Sequence, residues 1–116
     1  MQRKYRLTSS TDFQRVRRMG KSYAHPLVVL IALPNEDGAK RIGVSAGRSV
    51  GNAVARNRVK RRMRAALREL IPALPAGWDL VLLARRPLID AEFAQIQAGL
   101  QALLRRAGLL VNNYDK

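Results

Sequence analysis

The chain has 116 residues, enough for one domain with a single core but not for two. Its 22 lysines and arginines stand against eight acids, and a formal net charge of +14 predicts a polyanionic partner that neutralises the self-repulsion. The lack of cysteine excludes a disulfide framework and a thiolate metal site. The longest apolar run, residues 27–33, is too short to span a bilayer, and there is no signal-peptide apolar region, so we expect a soluble cytoplasmic protein.

The first predicted element is a short helix. Ser9 and Asp12 carry the Ser-x-x-Asp pattern of a capping box, which marks a helix start. Phe13 and Val16 give this helix an apolar face, and Gly20 ends it.

Two strands are predicted next. Residues 27–33 form a continuous apolar run typical of a buried strand, and residues 41–45 alternate between polar and apolar. Residues 35–38 read Asn-Glu-Asp-Gly, a sequence rich in turn formers. We therefore expect the two strands to form a hairpin.

A long basic helix is predicted over residues 52–71. At 100° per residue its apolar side chains form one core-facing stripe, made of Val59, Met63, Ala66, Leu67 and Leu70. Residues 56–64 hold six cations and no acid, and this unrelieved repulsion predicts contact with the phosphates of structured RNA rather than a merely solvated face. One flank of the stripe carries Asn57, Lys60, Arg61, Arg64 and Arg68, the opposite flank carries Arg58 and Arg62, and Arg56 points close to the apolar sector.

The remaining elements are a third strand over residues 78–84 and a final helix capped by Asp90, which ends near Gly108. The order αββαβα implies a single α+β domain over residues 1–116, in which helices pack on one small sheet.

No catalytic centre is predicted on this chain. A two-metal nuclease needs converging carboxylates, but the eight acids are scattered, and the closest pairs lie in a turn and at a helix start. His25 is the only histidine, has no visible partner, and is expected to begin a strand. Gly43, Gly47 and Gly51 lack the Gly-Lys-Ser/Thr ending of a phosphate loop and are expected in turns. In any reaction, another molecule should supply the catalytic groups.

Residues 51–61 read Gly-Asn-Ala-Val-Ala-Arg-Asn-Arg-Val-Lys-Arg and closely resemble the signature of the protein subunit of bacterial ribonuclease P. The resemblance extends over nearly the whole chain, because residues 6–7, 12–13, 20–22, 42–45 and 83–87 match family landmarks in order and spacing. It implies a small sheet like that of the second domain of ribosomal protein S5. The basic helix would form a left-handed βαβ crossover, against the usual right-handed rule.

The resemblance also implies an accessory role. A catalytic RNA with bound Mg²⁺ would cut precursor tRNA to leave the mature 5′ end. The residues of the protein that would face this RNA and the region of the cleavage site are Arg56, Asn57, Lys60, Arg61 and Arg64. The full set of residues predicted to bind RNA is Arg48, Asn52, Arg56, Asn57, Arg58, Lys60, Arg61, Arg62, Arg64 and Arg68. No membrane and no obligate protein partner are expected, and no metal ligand on the protein is predicted.

By the same resemblance, Phe13, Arg17 and Ile31 would line a cleft for the single-stranded 5′ leader of precursor tRNA. The chain departs from the family here, because Arg17 and Ile31 stand where an aromatic residue is common. Residues 47–49 also offer one cation, Arg48, where the family often has two. These departures predict less base stacking in the cleft and more contact with phosphate charge.

Two other functions fit part of the pattern. A structural RNA-binding protein, such as a ribosomal component, would share the charge, the size and the α+β pattern. A basic amphipathic protein on anionic membranes would need a wide exposed apolar face, whereas here the apolar stripe is required to cover the sheet. If the protein stimulates cleavage by a ribonuclease P RNA, the accessory role is favoured over both alternatives.

Overall fold

Residues 1–111 are described by the computed structural model and form an α+β domain, as predicted. The helices and strands in chain order are α1 (Ser10–Met19), β1 (Lys21–Ala24), β2 (Val28–Pro34), β3 (Lys40–Ala46), α2 (Ala53–Arg68), β4 (Trp78–Ala84) and α3 (Phe93–Arg106). Short 3-10 helices lie at Arg3–Tyr5, Arg48–Val50, Ile71–Ala73 and Arg86–Asp90. The last five residues of the predicted domain lie outside the described part.

The four strands form one mixed sheet in the order β1-β2-β4-β3. The predicted hairpin between residues 27–33 and 41–45, now β2 and β3, is wrong. Strand β4 lies between them and pairs antiparallel with β2 and parallel with β3. The apolar run of β2 explains this order, since a strand buried on both faces belongs in the middle of a sheet. Its other neighbour is the antiparallel β1, a short and mostly exposed strand that the sequence pattern did not predict.

The chain passes from β3 to the parallel β4 through α2, so the basic helix is the crossover connection. This is the connection that the family resemblance implies. Its left-handedness stays a prediction.

The sheet separates two apolar clusters. Alternate strand residues point to opposite faces, and the larger cluster lies between the sheet and the pair α2 and α3. In it, the predicted stripe of α2 is buried at Val59, Met63, Ala66 and Leu67. The smaller cluster lies between the sheet and α1 and consists of Leu7, Val16, Ile31 and Val81. Helices α1 and α2 therefore cover opposite faces of the sheet.

The helix ends follow local capping chemistry. The side chain of Ser9 accepts a hydrogen bond from the Asp12 amide, and Gly20 follows the end of α1, both as predicted. Helix α3 begins after Glu92, whose backbone N–H donates to Gln95 Oε1 at 2.8 Å. The predicted cap at Asp90 is wrong, because that residue ends the preceding 3-10 helix. None of the described helices is long and apolar enough to cross a membrane.

Candidate nucleic-acid interface

The start of α2 is fixed by two adjacent residues. Gly51 has a φ of +145°, a conformation that disfavours any residue with a side chain. Asn52 caps the helix, and its Oδ1 accepts a hydrogen bond from the Ala55 amide at 2.9 Å. The structure therefore gives Asn52 a helix-capping function at the head of the basic helix. Its predicted contact with RNA stays a prediction.

A groove of about 460 Å³ lies where α1, β3 and α2 meet. Strand β3 is at the edge of the sheet, so side chains from helices on opposite faces can approach each other across it. Phe13 and Arg17 of α1 form one wall, and Lys60 and Arg64 of α2 form the other. The further lining residues are Leu7, Thr8, Ser10, Gln14, Val44, Ser45 and Ala46. Both walls thus carry positive charge, and one of them also carries an aromatic ring.

Phe13 is held in the groove by its contact with Gly43 of β3. A Cβ atom added at Gly43 would lie 2.9 Å from Cε1 and Cε2 of the Phe13 ring and still closer to Cζ. The ring therefore rests with its far edge on the glycine backbone, a seat that a side chain at Gly43 would occupy. Phe13 stays half-buried and lines the groove.

Arg64 lines the α2 side of the groove and is partly desolvated there. The pKa of Arg64 is lowered mainly by burial and further by the positive charge of Arg6. The Nε atoms of Arg56 and Arg64 are buried and have no hydrogen-bond partner among the described residues. Both guanidinium groups are thus packed against the protein at their Nε atoms.

The positive surface continues from α2 to the N-terminus. Burial lowers the pKa of the Met1 amino group, and the charges of Arg68, Arg6 and Arg64 lower it further. Arg6 reaches this position because the backbone beside it pairs with β3, where the Leu7 amide donates to the Ile42 carbonyl at 2.9 Å. Arg6 is a candidate RNA contact that the sequence analysis missed, since no local pattern places the N-terminus beside β3.

The other predicted RNA contacts are divided by their surroundings. Asn57, Arg61 and Arg68 are exposed on the predicted flank of α2. Arg58 is exposed on the same helix, and Arg48 is exposed in the 3-10 helix that precedes it. Arg62 differs, because its Nη2 donates to the Ala91 carbonyl at 2.6 Å and so ties α2 to the segment before α3. The structure gives Arg62 a packing function that its position on the helical wheel did not indicate.

Ile31 is not brought to the groove. Its side chain is 6% exposed and lies in the smaller apolar cluster beneath α1, beside Val16 and Val81. The predicted grouping of Phe13 with Arg17 agrees with the lining of the groove, whereas Ile31 supports α1 from below.

A buried carboxylate lies on the face of the sheet that α1 covers, away from the groove. Asp79 of β4 is fully buried and binds three side chains: Arg15 Nη2 at 2.6 Å, Arg41 Nε at 2.9 Å and Asn35 Nδ2 at 2.9 Å. Burial raises the pKa of Asp79, but the hydrogen bonds from the two arginines and the asparagine outweigh this effect and hold the pKa below its ordinary value. The sequence did offer a signal, since an acid within an apolar strand requires a partner.

The lowered pKa of Asp79 predicts how folding stability depends on pH. A carboxylate with a depressed folded-state pKa contributes stability that is present above its unfolded pKa, about 3.9, and is lost as the pH falls through the folded value. We expect urea midpoints to fall with pH below about 4 and to fall less steeply in Asp79→Asn. Asp90→Asn, at an exposed acid, is the control, and equal slopes for the two variants would contradict the prediction.

Within residues 1–111, no group of three or more histidine and acidic side chains is placed to hold a metal ion. The groove chemistry is that of cations, one aromatic ring and hydroxyl groups. Cations are suited to contact with phosphates, and an aromatic ring is suited to stacking on a base.

The chain is similar in sequence to known proteins of one family. A family model described as Ribonuclease P matches residues 1–108. The ribonuclease P protein component of Roseiflexus castenholzii is 43% identical over 111 residues, which cover 95% of this chain and 91% of that protein. The corresponding protein of Chloroflexus aurantiacus is 45% identical over 111 residues, which cover 95% and 82%.

Solved structures show the same fold. The RNase P protein of Staphylococcus aureus superposes with a TM-score of 0.82 at 32% identity, covering 92% of this chain and 98% of that one. The RNase P protein of Thermotoga maritima superposes with a TM-score of 0.77 at 30% identity, covering 87% and 96%. The basic helix, the mixed sheet and the matches in sequence and structure lead to one conclusion: the chain belongs to the ribonuclease P protein family.

Proposed function

We propose that this chain is the accessory subunit of the ribonuclease P ribonucleoprotein, which matures the 5′ ends of precursor tRNA in the cytoplasm. The exposed flank of α2 would bind the catalytic RNA, and the groove between α1, β3 and α2 would bind the 5′ leader of the precursor. The groove carries this proposal, because cations on both walls flank the half-buried Phe13.

The chemistry of the groove favours a single strand, because its described lining combines an aromatic ring with cations on both walls. Unpaired RNA is recognised by stacking of its bases on aromatic rings and by cations along its backbone. Phe13 would stack on a leader base, while Arg17, Lys60 and Arg64 would bind the adjoining phosphates. Mature tRNA lacks the leader, so these contacts would distinguish precursor from product.

Mg²⁺ belongs to the RNA in this proposal. Mg²⁺ takes oxygen ligands, usually one or two carboxylates together with phosphates and water. The described residues that line the groove include three cations and no carboxylate, so they do not fit the ion. The contribution of the protein would be charge neutralisation, because added cations reduce the repulsion between two RNAs and so the demand for free divalent ions.

Cleavage of precursor tRNA tests this division of functions. We expect the protein alone to produce no 5′ cleavage at any Mg²⁺ concentration, and the catalytic RNA alone to require high Mg²⁺. The two together should cleave when Mg²⁺ is scarce. The measurement is the rate of appearance of the mature 5′ end across a Mg²⁺ series for RNA, protein and mixture.

Specific 5′ cleavage by protein free of RNA would overturn the proposal. Binding to the RNA without any stimulation of cleavage would instead favour a structural RNA-binding protein.

A further inference from the structure

Helix α1 forms a wall of the groove and makes its apolar contacts with the sheet through Phe13 and Val16. Val16 is the one residue of α1 that is fully buried. At 100° per residue, Phe13 and Arg17 lie on one side of Val16, toward the groove. Rotation of α1 about its own axis would therefore move both groove side chains together.

The opposite side of α1 is tied to the sheet by charge. Arg15 lies about 160° around the helix from Phe13, and its Nη2 contacts Asp79 Oδ2 at 2.6 Å. Asp79 itself cannot follow a movement of α1, because Arg41 and Asn35 also hold it, each at 2.9 Å. A short, charge-assisted hydrogen bond to a buried, fixed acceptor is a geometrically specific restraint.

The two contacts act on α1 from opposite sides. Phe13 rests on the backbone of Gly43 toward the groove, and Arg15 reaches Asp79 on the far side. Loss of the Arg15 contact would leave Val16 as a pivot, and the Phe13 ring could then leave its seat.

We infer that Arg15 is a positioning residue: its ion pair with Asp79 fixes the rotation of α1 and thereby places Phe13 in the groove. The functional consequence, selective binding of precursor tRNA, rests on the proposed function of the groove as the leader site. The placement of the Phe13 ring in the free protein is independent of that proposal.

The sequence offers a matched pair of variants. Arg15→Gln and Arg41→Gln each remove one positive charge and one ion pair with Asp79, but only Arg15 belongs to α1. In the assembled holoenzyme, Arg15→Gln should lower the ratio of precursor to mature tRNA affinity roughly fivefold, the lower end of the effect of one stacked base. Arg41→Gln should leave this ratio unchanged. If Phe13→Ala lowers the ratio but the two glutamine variants have equal ratios, the inference is overturned.

A double-mutant cycle shows whether Arg15 acts through Phe13. In a Phe13→Ala background, Arg15→Gln should change the ratio by less than about twofold, because residues that act through one contact are not additive. A merely structural Arg15 would give additive losses, which would count against positioning.

The ring position is measured in the free protein by the nuclear Overhauser effect between the Phe13 ring and the Gly43 Hα protons. It should weaken in Arg15→Gln and persist in Arg41→Gln, and an unchanged signal in Arg15→Gln would overturn the inference. If Phe13→Ala leaves the affinity ratio unchanged, the leader site fails, while this signal still decides the positioning. Should Arg15→Gln not fold, Arg15→Lys, which keeps the charge and loses the planar fork, should shift the signal in the same direction.

Discussion

Replacing Lys60 and Arg64 together by alanine should weaken binding of precursor tRNA to the assembled holoenzyme roughly a hundredfold, if each cation contributes a charged hydrogen bond of about 1.5 kcal/mol. The two side chains lie one turn apart on the α2 wall of the groove and are half-buried. The salt dependence should flatten by about 0.7 per phosphate contact with a single strand. Filter binding across a salt series, with protein in excess over catalytic RNA, measures both effects.

Arg61→Ala with Arg68→Ala is the matched control, because it removes the same charge from exposed positions of the same helix. This second pair should instead lower the affinity for the catalytic RNA and leave the affinity for the leader nearly unchanged. Both variants should fold, since alanine is the best helix former. Equal losses of both variants in both assays would show that only the total charge matters, and the assignment of the two surfaces would be wrong.

The sequence predicted the elements whose patterns are local. The stripe of α2 from Val59 to Leu67 repeats at helical spacing and is buried as expected. The order of the strands could not be predicted in this way, because it depends on which strands that are distant in sequence become neighbours in the sheet. Strand β4 lies between β2 and β3 but follows β3 in the chain only after the crossover through α2, so no local pattern shows it there and the expected hairpin was wrong. Strand β1 has four residues, mostly exposed, and carries no periodic signal of its own.

For the candidate site, the sequence predicted only which side chains share one flank of a helix. The wheel of α2 placed Lys60, Arg61 and Arg64 on one flank, but it could not separate half-buried groove residues from exposed ones. That separation arises where α1 and α2, from opposite faces, meet at the edge of β3. The carbonyl that Arg62 binds, on Ala91, is likewise far along the chain and invisible to a local pattern.

Ile31 illustrates another limit. In a continuous apolar strand both faces are buried, so the sequence does not show which side chains reach a cleft and which lie under a helix. Ile31 packs beneath α1, and the family resemblance did not indicate that this helix covers it.

Phe13 is the one aromatic residue among the described residues that line the groove. Phe13→Ala should weaken the affinity of the holoenzyme for precursor tRNA by about 1–3 kcal/mol, the range for loss of one base–aromatic stack, and leave mature tRNA almost unaffected. Phe13 also packs on the smaller apolar cluster, so truncation to alanine should lower the melting temperature as well.

Phe13→Leu separates these two effects, because leucine keeps an apolar side chain over Gly43 and the cluster but offers no aromatic face. We expect Phe13→Leu to melt close to the unsubstituted protein and still to lose most of the preference for precursor over mature tRNA. If the leucine variant keeps the full preference, the ring acts through packing and not through stacking. If a folded alanine variant loses equal affinity for precursor and mature tRNA, the groove does not hold the leader.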